Sequence, residues 1–348
     1  TVPATGYAVY DVRLSGSQKQ ADSFVSETTV ENSVYKISLD KKGDIISLYD
    51  KKNNKELVKD GKSIRLALFT ENESYNWPAW EILKKTIDRA PVSITEDVKM
   101  NLCENGALRK TLCIEKRHGK SLFRQYIRLY EGELADRILT AYEVYAQYWA
   151  DLTDSDGSYG VSIMNDSKYG WDKPDNHTLR LTLLHTPETK NNYPYQDRQD
   201  LGYHTFTYSL VGHAGGLDKA QVVKESEVLN QRLKAFTAEK HSGTLGKAFS
   251  FASSDNSNVV IKALKKAESS DEYVVRVYET GGKAPQNAVM TFAGTITSAV
   301  EADGTEKSIG SADFSGNQLE VSIQPNSIRT YKVRFNDNKK EELRCEQL

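Results

Sequence analysis

Two short stretches combine aromatic and polar side chains at a density that ordinary turns do not need. The stretch "MNDSKYGWD" follows an alternating strand pattern and gathers Asn165, Asp166, Tyr169 and Trp171 around Gly170. Asn, Asp and Gly are typical turn residues, so a surface turn is one interpretation. Two large aromatics are not required for a turn, and the other interpretation is the polar, aromatic rim of a binding site.

The second stretch, "YNWPAW", concentrates Tyr75, Trp77 and Trp80 around Pro78. Aromatic rings on a rigid loop can stack on the faces of sugar rings, whereas a tryptophan pair in a core holds a loop in place. The sequence leaves both interpretations open.

Lys and Arg number 46 against 48 Asp and Glu, so the chain has no strong electrostatic field that would attract nucleic acid or an anionic membrane. The charge balance favours a neutral ligand.

Motifs of the common catalytic centres are absent from the sequence. It has no G-x-S-x-G elbow, no P-loop and no H-E-x-x-H zinc helix. The six histidines are scattered, and none pairs with carboxylates at metal-ligand spacing. His185 or His204 with Asp200 is the one nearby set that would serve a mutarotase-like site acting on free sugars.

The three cysteines, Cys103, Cys113 and Cys345, show no metal spacing. If "CENGALRKTLC" is a hairpin with a two-residue loop at "NG", each cysteine faces an apolar residue of the other strand. The register therefore predicts no disulfide between Cys103 and Cys113.

Three Asn-X-Ser/Thr tripeptides begin at Asn72, Asn165 and Asn176. They are acceptor sequences for N-linked glycans if the source organism glycosylates the protein.

Period-two alternation is the dominant pattern of the chain. Segments such as "VYKISLD", "RQYIRLYE", "YHTFTYSLVG", "EYVVRVYET" and "SIRTYKVRF" are rich in β-branched and aromatic residues and are separated by Gly, Asn and Asp. This pattern predicts an antiparallel β protein. Helical patterns are confined to residues 218–236 and to "EILKKTI".

With 348 residues, the chain is long enough for one large and one smaller domain. The Gly- and Ser-rich segment 237–257 has linker composition, so we expect a large β domain over 1–236 and a small β-sandwich over 258–335. A charged tail follows at 336–348. No apolar run suggests a membrane helix. Because the sequence begins with Thr1, we expect a processed form or an excised piece, and the compartment is not evident.

Seven segments in order resemble the C-terminal half of glycoside hydrolase family 38, the retaining α-mannosidases. They are "ENSVYKISLDKKGDIISLYDKKNNKELV", "NWPAWEI", "YAQYWADLTDSDGSYGVSIMNDSKYGWD", "LRLTLLHTP", "DLGYHTFTYSLVGH", "VVIKALKKAESSDEYVVRVYE" and "PNSIRTYKV". The resemblance covers nearly the whole chain and implies a β-supersandwich similar to galactose mutarotase, followed by a smaller β-sandwich.

The resemblance also implies a role. In this family the zinc ion, its ligands and the nucleophilic Asp come from domains that precede the β region, so no catalytic or metal residue is carried over to this chain. The expected role is to pack on the N-terminal catalytic domain and to shape a pocket for mannose-containing oligosaccharides. An independent carbohydrate-binding module is the alternative. The substrate-rim candidates are Trp77, Trp80, Asn165, Asp166, Tyr169, Trp171 and His185.

Two departures from the family pattern concern this assignment. In many members an Arg stands where "LLHTP" has His185. Between Ile138 and Leu139 the family has several dozen further residues, including core strands. Either the domain has lost strands or the sequence joins two segments across an omitted one. We favour the omission, because a loss of central strands would expose sheet edges.

Overall fold

The computed structural model describes residues 2, 5–11, 26–69, 72–74, 76–78, 81–106, 109–129, 144–187, 199–215, 222–243, 245–282 and 284–336. The chain divides into two compact units. Unit 1 consists of Thr1–Leu14 and Ala235–Leu348, and unit 2 of Ser15–Lys234. Neither helix described below has the length and apolar character needed to cross a membrane.

Unit 2 contains most of the strands and both described helices. In chain order its elements are β2 (Thr29–Glu31), β3 (Tyr35–Leu39), β4 (Ile45–Asp50), β5 (Lys55–Glu56), β6 (Ala67–Leu68), α1 (Lys84–Ile87), β7 (Val92–Ser93), β8 (Glu96–Asn105), β9 (Lys110–His118), β10 (Ser121–Leu129), β11 (Val144–Tyr145), β12 (Trp149–Thr153), β13 (Tyr159–Asn165), β14 (Gly170–Asp175), β15 (Thr178–Leu181), β16 (Tyr208–Ala214) and α2 (Val222–Asn230).

The strands of unit 2 form five antiparallel sheets among the described residues. Their orders are β2-β3-β4-β5, β6-β7, β10-β9-β8, β11-β14-β15 and β12-β13-β16. The largest core of the unit joins the first and third of these sheets, for example through Ile37 of β3 and Leu112 of β9. A smaller core packs Val222 of α2 against Met164 of β13 and Val211 of β16. Alternation of buried and more exposed residues, which the sequence pattern predicts, is clear in β3, whereas β14 buries three consecutive residues.

Unit 1 is a β-sandwich. Its elements are β1 (Gly6–Ala8), β17 (Ala248–Ser250), β18 (Ala252–Ser254), β19 (Val259–Lys266), β20 (Tyr273–Glu279), β21 (Gln286–Phe292), β22 (Ile296–Ala302), β23 (Ser308–Ser311), β24 (Phe314–Ser315), β25 (Gln318–Ile323) and β26 (Ile328–Phe335). The sheets β18-β21-β25-β24 and β19-β20-β26-β22-β23 both supply residues to one apolar core. The structure thus confirms the all-β, antiparallel fold.

The unit boundaries differ from the predicted domains in two places. Strand β1, expected in the large domain, pairs with β17 through Gly6 and Ser250 and belongs to unit 1. The expected linker 237–257 contains β17 and β18, because small residues such as those of "SFASS" can form edge strands.

The junction of Ile138 and Leu139 lies outside the described residues, so the omitted segment stays a prediction. Residues 337–348 of the expected charged tail also lie outside them.

Helix α2 ends at Asn230, six residues before the end of the helical pattern over 218–236. The Asn230 side chain donates a hydrogen bond to the carbonyl of Ser226 at 2.8 Å, which satisfies one of the last helical carbonyls. It also donates to the carbonyl of Asn165 at 3.0 Å. An Asn at the end of a helix therefore terminates the helix and ties it to β13.

The prediction of no disulfide in the β8–β9 hairpin is wrong. Cys103 and Cys113 are joined, with their Cα atoms 5.9 Å apart. A bulge between Leu102 and Glu104 shifts the register, and the turn is closed by the Gly106 N–H and the Arg109 carbonyl rather than by a two-residue loop. The bulge brings Cys103 within reach of Cys113 because it inserts one residue into β8.

Candidate functional site

The turn after β13 is fixed by the side chain of Asn165. Its Oδ1 accepts hydrogen bonds from the backbone N–H groups of Ser167 at 3.1 Å and Lys168 at 2.6 Å, and the residue is 1% exposed. Asn side chains commonly stabilise turns in this way. Asn165, a predicted rim residue, therefore lies beneath the turn and positions Lys168 and Tyr169.

Asp166 anchors the same turn to the segment before β16. Its Oδ1 accepts from the Thr207 backbone N–H at 3.2 Å and from the Ser167 hydroxyl at 3.0 Å. Burial raises the pKa of the Asp166 carboxyl, but the hydrogen bonds from Thr207 and Ser167 outweigh burial and lower its pKa overall. The carboxyl is therefore ionised at neutral pH, and Arg232 lies 3.9 Å away.

The two aromatics of the turn have opposite environments. Trp171 is fully buried, and its indole N–H donates to the Ala146 carbonyl at 3.1 Å. Tyr169 is 47% exposed and stacks on Tyr145 at a centroid distance of 5.8 Å. Of the two, Tyr169 offers a ring face to a ligand, and Trp171 holds β14 against the chain before β12.

A concave pocket of about 340 Å³ opens beside this turn. Lys168 comes from the turn itself, the segment after β15 contributes several consecutive residues, and the segment before β16 contributes two. The lining residues are Lys168, Thr182, Leu183, Leu184, His185, Asp200 and His204. The structure therefore brings His185, His204 and Asp200 to one pocket. His185 is also one of the predicted rim residues.

The polar groups of this pocket are held by their neighbours. His204 Nε2 lies 2.7 Å from the Asp200 carbonyl oxygen, and because a carbonyl only accepts, Nε2 carries the proton. The second ring nitrogen, Nδ1, accepts a hydrogen bond in a neutral imidazole and donates one in an imidazolium. The Phe206 ring stacks on His204 at 5.9 Å and lies under the Lys168 ammonium at 4.1 Å.

The backbone of Asp200 adopts a left-handed conformation, with φ of 58°. Non-glycine residues reach this region at a cost in energy, and such residues cluster at functional sites. The conformation directs the Asp200 carbonyl to His204. The pocket therefore contains the Lys168 ammonium as a donor and a His204 ring held by its bond to Asp200, and both can hydrogen-bond to the hydroxyl groups of a polar ligand.

Of the two tryptophans in the "YNWPAW" stretch, the structure describes Trp77. Trp77 is 52% exposed, and its backbone N–H donates to the Ser74 hydroxyl at 3.2 Å. The Ser74 hydroxyl in turn donates to Glu81 at 2.5 Å, so the loop is held by polar contacts. Trp77 is not a lining residue of the pocket. Trp80 lies outside the described residues.

Among the described residues, no group of three or more His, Cys, Asp or Glu side chains converges on a position for a metal ion. A buried pair, His213 Nε2 and Asp151 Oδ2, is 3.2 Å apart, and Ser162 donates to the same carboxylate oxygen at 3.2 Å. The Gly160 backbone lies close against this pair, because a Cβ on Gly160 would lie 2.3 Å from His213 Nε2. The described residues do not fit a zinc site.

Sequence reasoning missed the partners that shape this site. Tyr145 stacks on Tyr169, and Phe206 supports both Lys168 and His204. Tyr145 and Phe206 stand in the strand patterns "YEVYAQYW" and "YHTFTYS", where an aromatic is typical of any half-buried strand. Local spacing carries no signal for the contacts of Tyr145 with Tyr169 and of Phe206 with Lys168, because these partners are far apart in sequence.

Comparison with known proteins assigns this chain to a class. The profile of the "Glycosyl hydrolases family 38 C-terminal domain" matches residues 30–140 and 135–193, and that of the "Glycosyl hydrolases family 38 C-terminal beta sandwich domain" matches residues 258–331. These are C-terminal β domains of sugar-cleaving enzymes, one matched in unit 2 and one in unit 1. The chain belongs to the C-terminal region of glycosyl hydrolase family 38.

Curated relatives and a solved structure agree with this assignment. The α-mannosidase G of Dictyostelium discoideum is 24% identical over 97% of this chain and 36% of its own length. Human α-mannosidase 2C1 is 35% identical over 40% of this chain and 13% of its own length. The chain thus spans about a third or less of these relatives. An α-mannosidase structure from Enterococcus faecalis V583 shares the fold, with a TM-score of 0.63, 13% identity, and coverage of 88% of this chain and 42% of that one.

Proposed function

We propose that this chain is the non-catalytic C-terminal β region of a retaining, zinc-dependent α-mannosidase. It packs on a catalytic domain that supplies the zinc and the nucleophile, and it shapes the active site for mannose-containing oligosaccharides. The observation that carries the proposal is the order of two family-38 C-terminal domains along the chain. The described residues do not fit a zinc site, so we assign the chain no chemical step.

The contribution of unit 2 to this function is to hold the sugar. Lys168 donates hydrogen bonds, the His204 ring can form one through Nδ1, and His185 adds a further polar group on the same pocket. The stacked pair of Tyr145 and Tyr169 presents an apolar ring surface of the kind that covers a pyranose face. Such contacts orient a substrate without taking part in bond cleavage, which is the role of a positioning surface.

Hydrolysis of an aryl α-mannoside tests this proposal. The chain alone, at high concentration with and without added zinc, should give no turnover, whereas the longer polypeptide that includes the catalytic domain should be active and zinc-dependent. Zinc-dependent turnover by the chain alone would overturn the assignment. An inactive longer polypeptide that is folded and zinc-loaded would contradict the enzyme class.

A second candidate, an independent carbohydrate-binding module, is favoured by the pocket and by the exposed rings. The chain alone would then bind an α-linked mannobiose, and Tyr169→Ala or Trp77→Ala would weaken binding. Stacking of a planar base on an aromatic ring is worth about 1–3 kcal/mol, and a loss of that size for a sugar ring would raise Kd about five- to 140-fold. The exposed Phe314 of unit 1 gives a matched control, Phe314→Ala. Equal affinity of all four proteins, measured by calorimetry, would exclude the module.

A further inference from the structure

The three Asn-X-Ser/Thr tripeptides, at Asn72, Asn165 and Asn176, have different environments in the structure. An N-linked glycan is attached through the side-chain nitrogen Nδ2 of Asn, and a glycan is bulky and hydrophilic. A folded protein therefore tolerates it only where Nδ2 faces solvent and is not needed for another bond. The contacts of the three side chains decide which tripeptide meets these conditions.

Asn165 does not meet them. The residue is 1% exposed, its Oδ1 holds the turn after β13 through Ser167 and Lys168, and its Nδ2 is buried. A glycan on Nδ2 would need the space beneath the turn. Asn72 does not meet the second condition, because its Nδ2 already donates a hydrogen bond to the Glu81 carbonyl at 2.6 Å. Its Oδ1 also accepts from the Leu83 N–H at 3.0 Å.

Asn176 meets both conditions. It is exposed, as are its neighbours Asp175 and His177, and it lies at the tip of the β14–β15 hairpin between Asp175 and Thr178. Its Oδ1 accepts from Lys173 Nζ at 3.0 Å, a bond that a substituent on Nδ2 leaves in place. The turn itself is held by Asp175, which accepts from the His177 N–H at 2.7 Å and the Thr178 hydroxyl at 3.1 Å.

We propose that Asn176 is the site at which this chain accepts an N-linked glycan. In the transfer, Asn176 Nδ2 forms a bond to C1 of an oligosaccharide carried on a polyprenyl diphosphate. The C1–O bond to the lipid diphosphate breaks, the lipid diphosphate leaves, and the amide loses one N–H proton. The disulfide between Cys103 and Cys113 agrees with this assignment, because disulfides persist in the oxidising compartments where such transfer takes place.

Expression of the whole chain behind a cleavable secretion signal in a eukaryotic host tests the proposal. Secreted and retained protein are digested with a glycosidase that converts a glycosylated Asn to Asp in heavy-oxygen water, and each tripeptide is scored by mass spectrometry. We expect Asn176 to be occupied in both pools. Any molecules glycosylated at Asn72 or Asn165 should be found in the retained pool alone, because they cannot reach this fold.

Three variants complete the test. Asn176→Gln and Thr178→Ala each remove the tripeptide and should lower the mass of the chain by one glycan, whereas His177→Ala keeps the tripeptide and should keep the glycan. Ser167→Ala removes the buried tripeptide without changing Asn165 and should leave occupancy at Asn176 unchanged. An empty Asn176 in both pools, or secreted and folded protein with a glycan on Asn165, would overturn the proposal.

Discussion

The cores of the two units are built from different chemistry. In unit 1 a continuous apolar core joins both sheets of the sandwich, and the buried polar residues among its described part are Glu279 and Thr330. Unit 2 buries the ion pair of Lys116 and Asp44 next to its apolar clusters, and also buries His213 Nε2 at hydrogen-bond distance from Asp151.

The location of these polar groups explains the difference. In unit 1 the carboxylate of Glu279 accepts from the backbone N–H groups of Gly281, Gly282 and Asn326, and so it closes turns at one end of the sandwich. In unit 2 the buried Asn165 supports the turn that forms one side of the pocket. Buried polar groups cost stability unless they are paired, and Asn165 Oδ1 is paired with two backbone N–H groups of that turn.

The largest expected effect lies in the apolar core of unit 1. Phe292 is 2% exposed and packs on Phe335 at a centroid distance of 5.2 Å, so Phe292→Ala should lower the free energy of unfolding of this unit by about 3–5 kcal/mol. Urea denaturation followed by far-UV circular dichroism measures it. The control Phe314→Ala, at an exposed ring, should cost much less, and equal losses would contradict the assignment of the core.

The next effect breaks a buried ion pair of unit 2. Lys116 and Asp44 are 1% and 4% exposed, so Lys116→Met leaves an unpaired buried carboxylate and should cost about 3 kcal/mol. All four tryptophans lie in unit 2, so tryptophan fluorescence during urea denaturation reports this unit. The double variant Lys116→Met/Asp44→Leu should recover most of the loss. A double variant as unstable as the single one would show that the pair is needed for more than charge balance.

A smaller effect concerns the turn beside the pocket. Asn165→Ala removes the acceptor of two backbone N–H groups and should cost about 1–2 kcal/mol, measured by the same fluorescence titration. Asn176→Ala, in an exposed turn, is the matched control and should change stability by less than about 0.5 kcal/mol. If the two variants are equally stable, Asn165 does not support the turn.

The smallest effect is a dependence of stability on pH. Lys51, bonded to Glu31 at 2.5 Å, lowers the pKa of the Glu31 carboxyl below its ordinary value, against a smaller opposing effect of burial. A lowered pKa in the folded state stabilises the protein above the ordinary pKa, and this stabilisation is lost as the pH falls through the lowered value. Glu31→Gln should therefore reduce stability at pH 7 by less than about 1 kcal/mol and not at pH 3. An equal loss at both pH values would exclude the ion pair as its cause.

The strands were predictable because their signal is local. The alternation in "VYKISLD" gives the two faces of β3 directly, and the β-branched and aromatic residues of "EYVVRVYET" form β20 as predicted. The features that sequence reasoning got wrong depend on distant partners. Strand β1 pairs with residues more than two hundred positions away, and the disulfide depends on a bulge whose register no composition reveals.

The same limit applied to the site. The polar and aromatic character of "MNDSKYGWD" indicated a rim, and the structure does bring Lys168 and His185 to one pocket. Which aromatic is exposed could not be read from the sequence, because the burial of Trp171 and the bond of its indole N–H to the Ala146 carbonyl depend on the folded chain. A strand with both faces covered has no period that separates its buried from its exposed residues.

The Michaelis constant of the complete enzyme that we propose contains this chain tests the role of unit 2 most directly. His185→Ala and Lys168→Ala each remove one polar group of the pocket and should raise KM for a mannose-containing oligosaccharide roughly tenfold or more, with a smaller change in kcat, as expected for a lost hydrogen bond of about 1.5 kcal/mol. His177→Ala, in the exposed β14–β15 turn, should leave both constants unchanged. A KM unaffected by both pocket variants would contradict the claim that unit 2 shapes the sugar site.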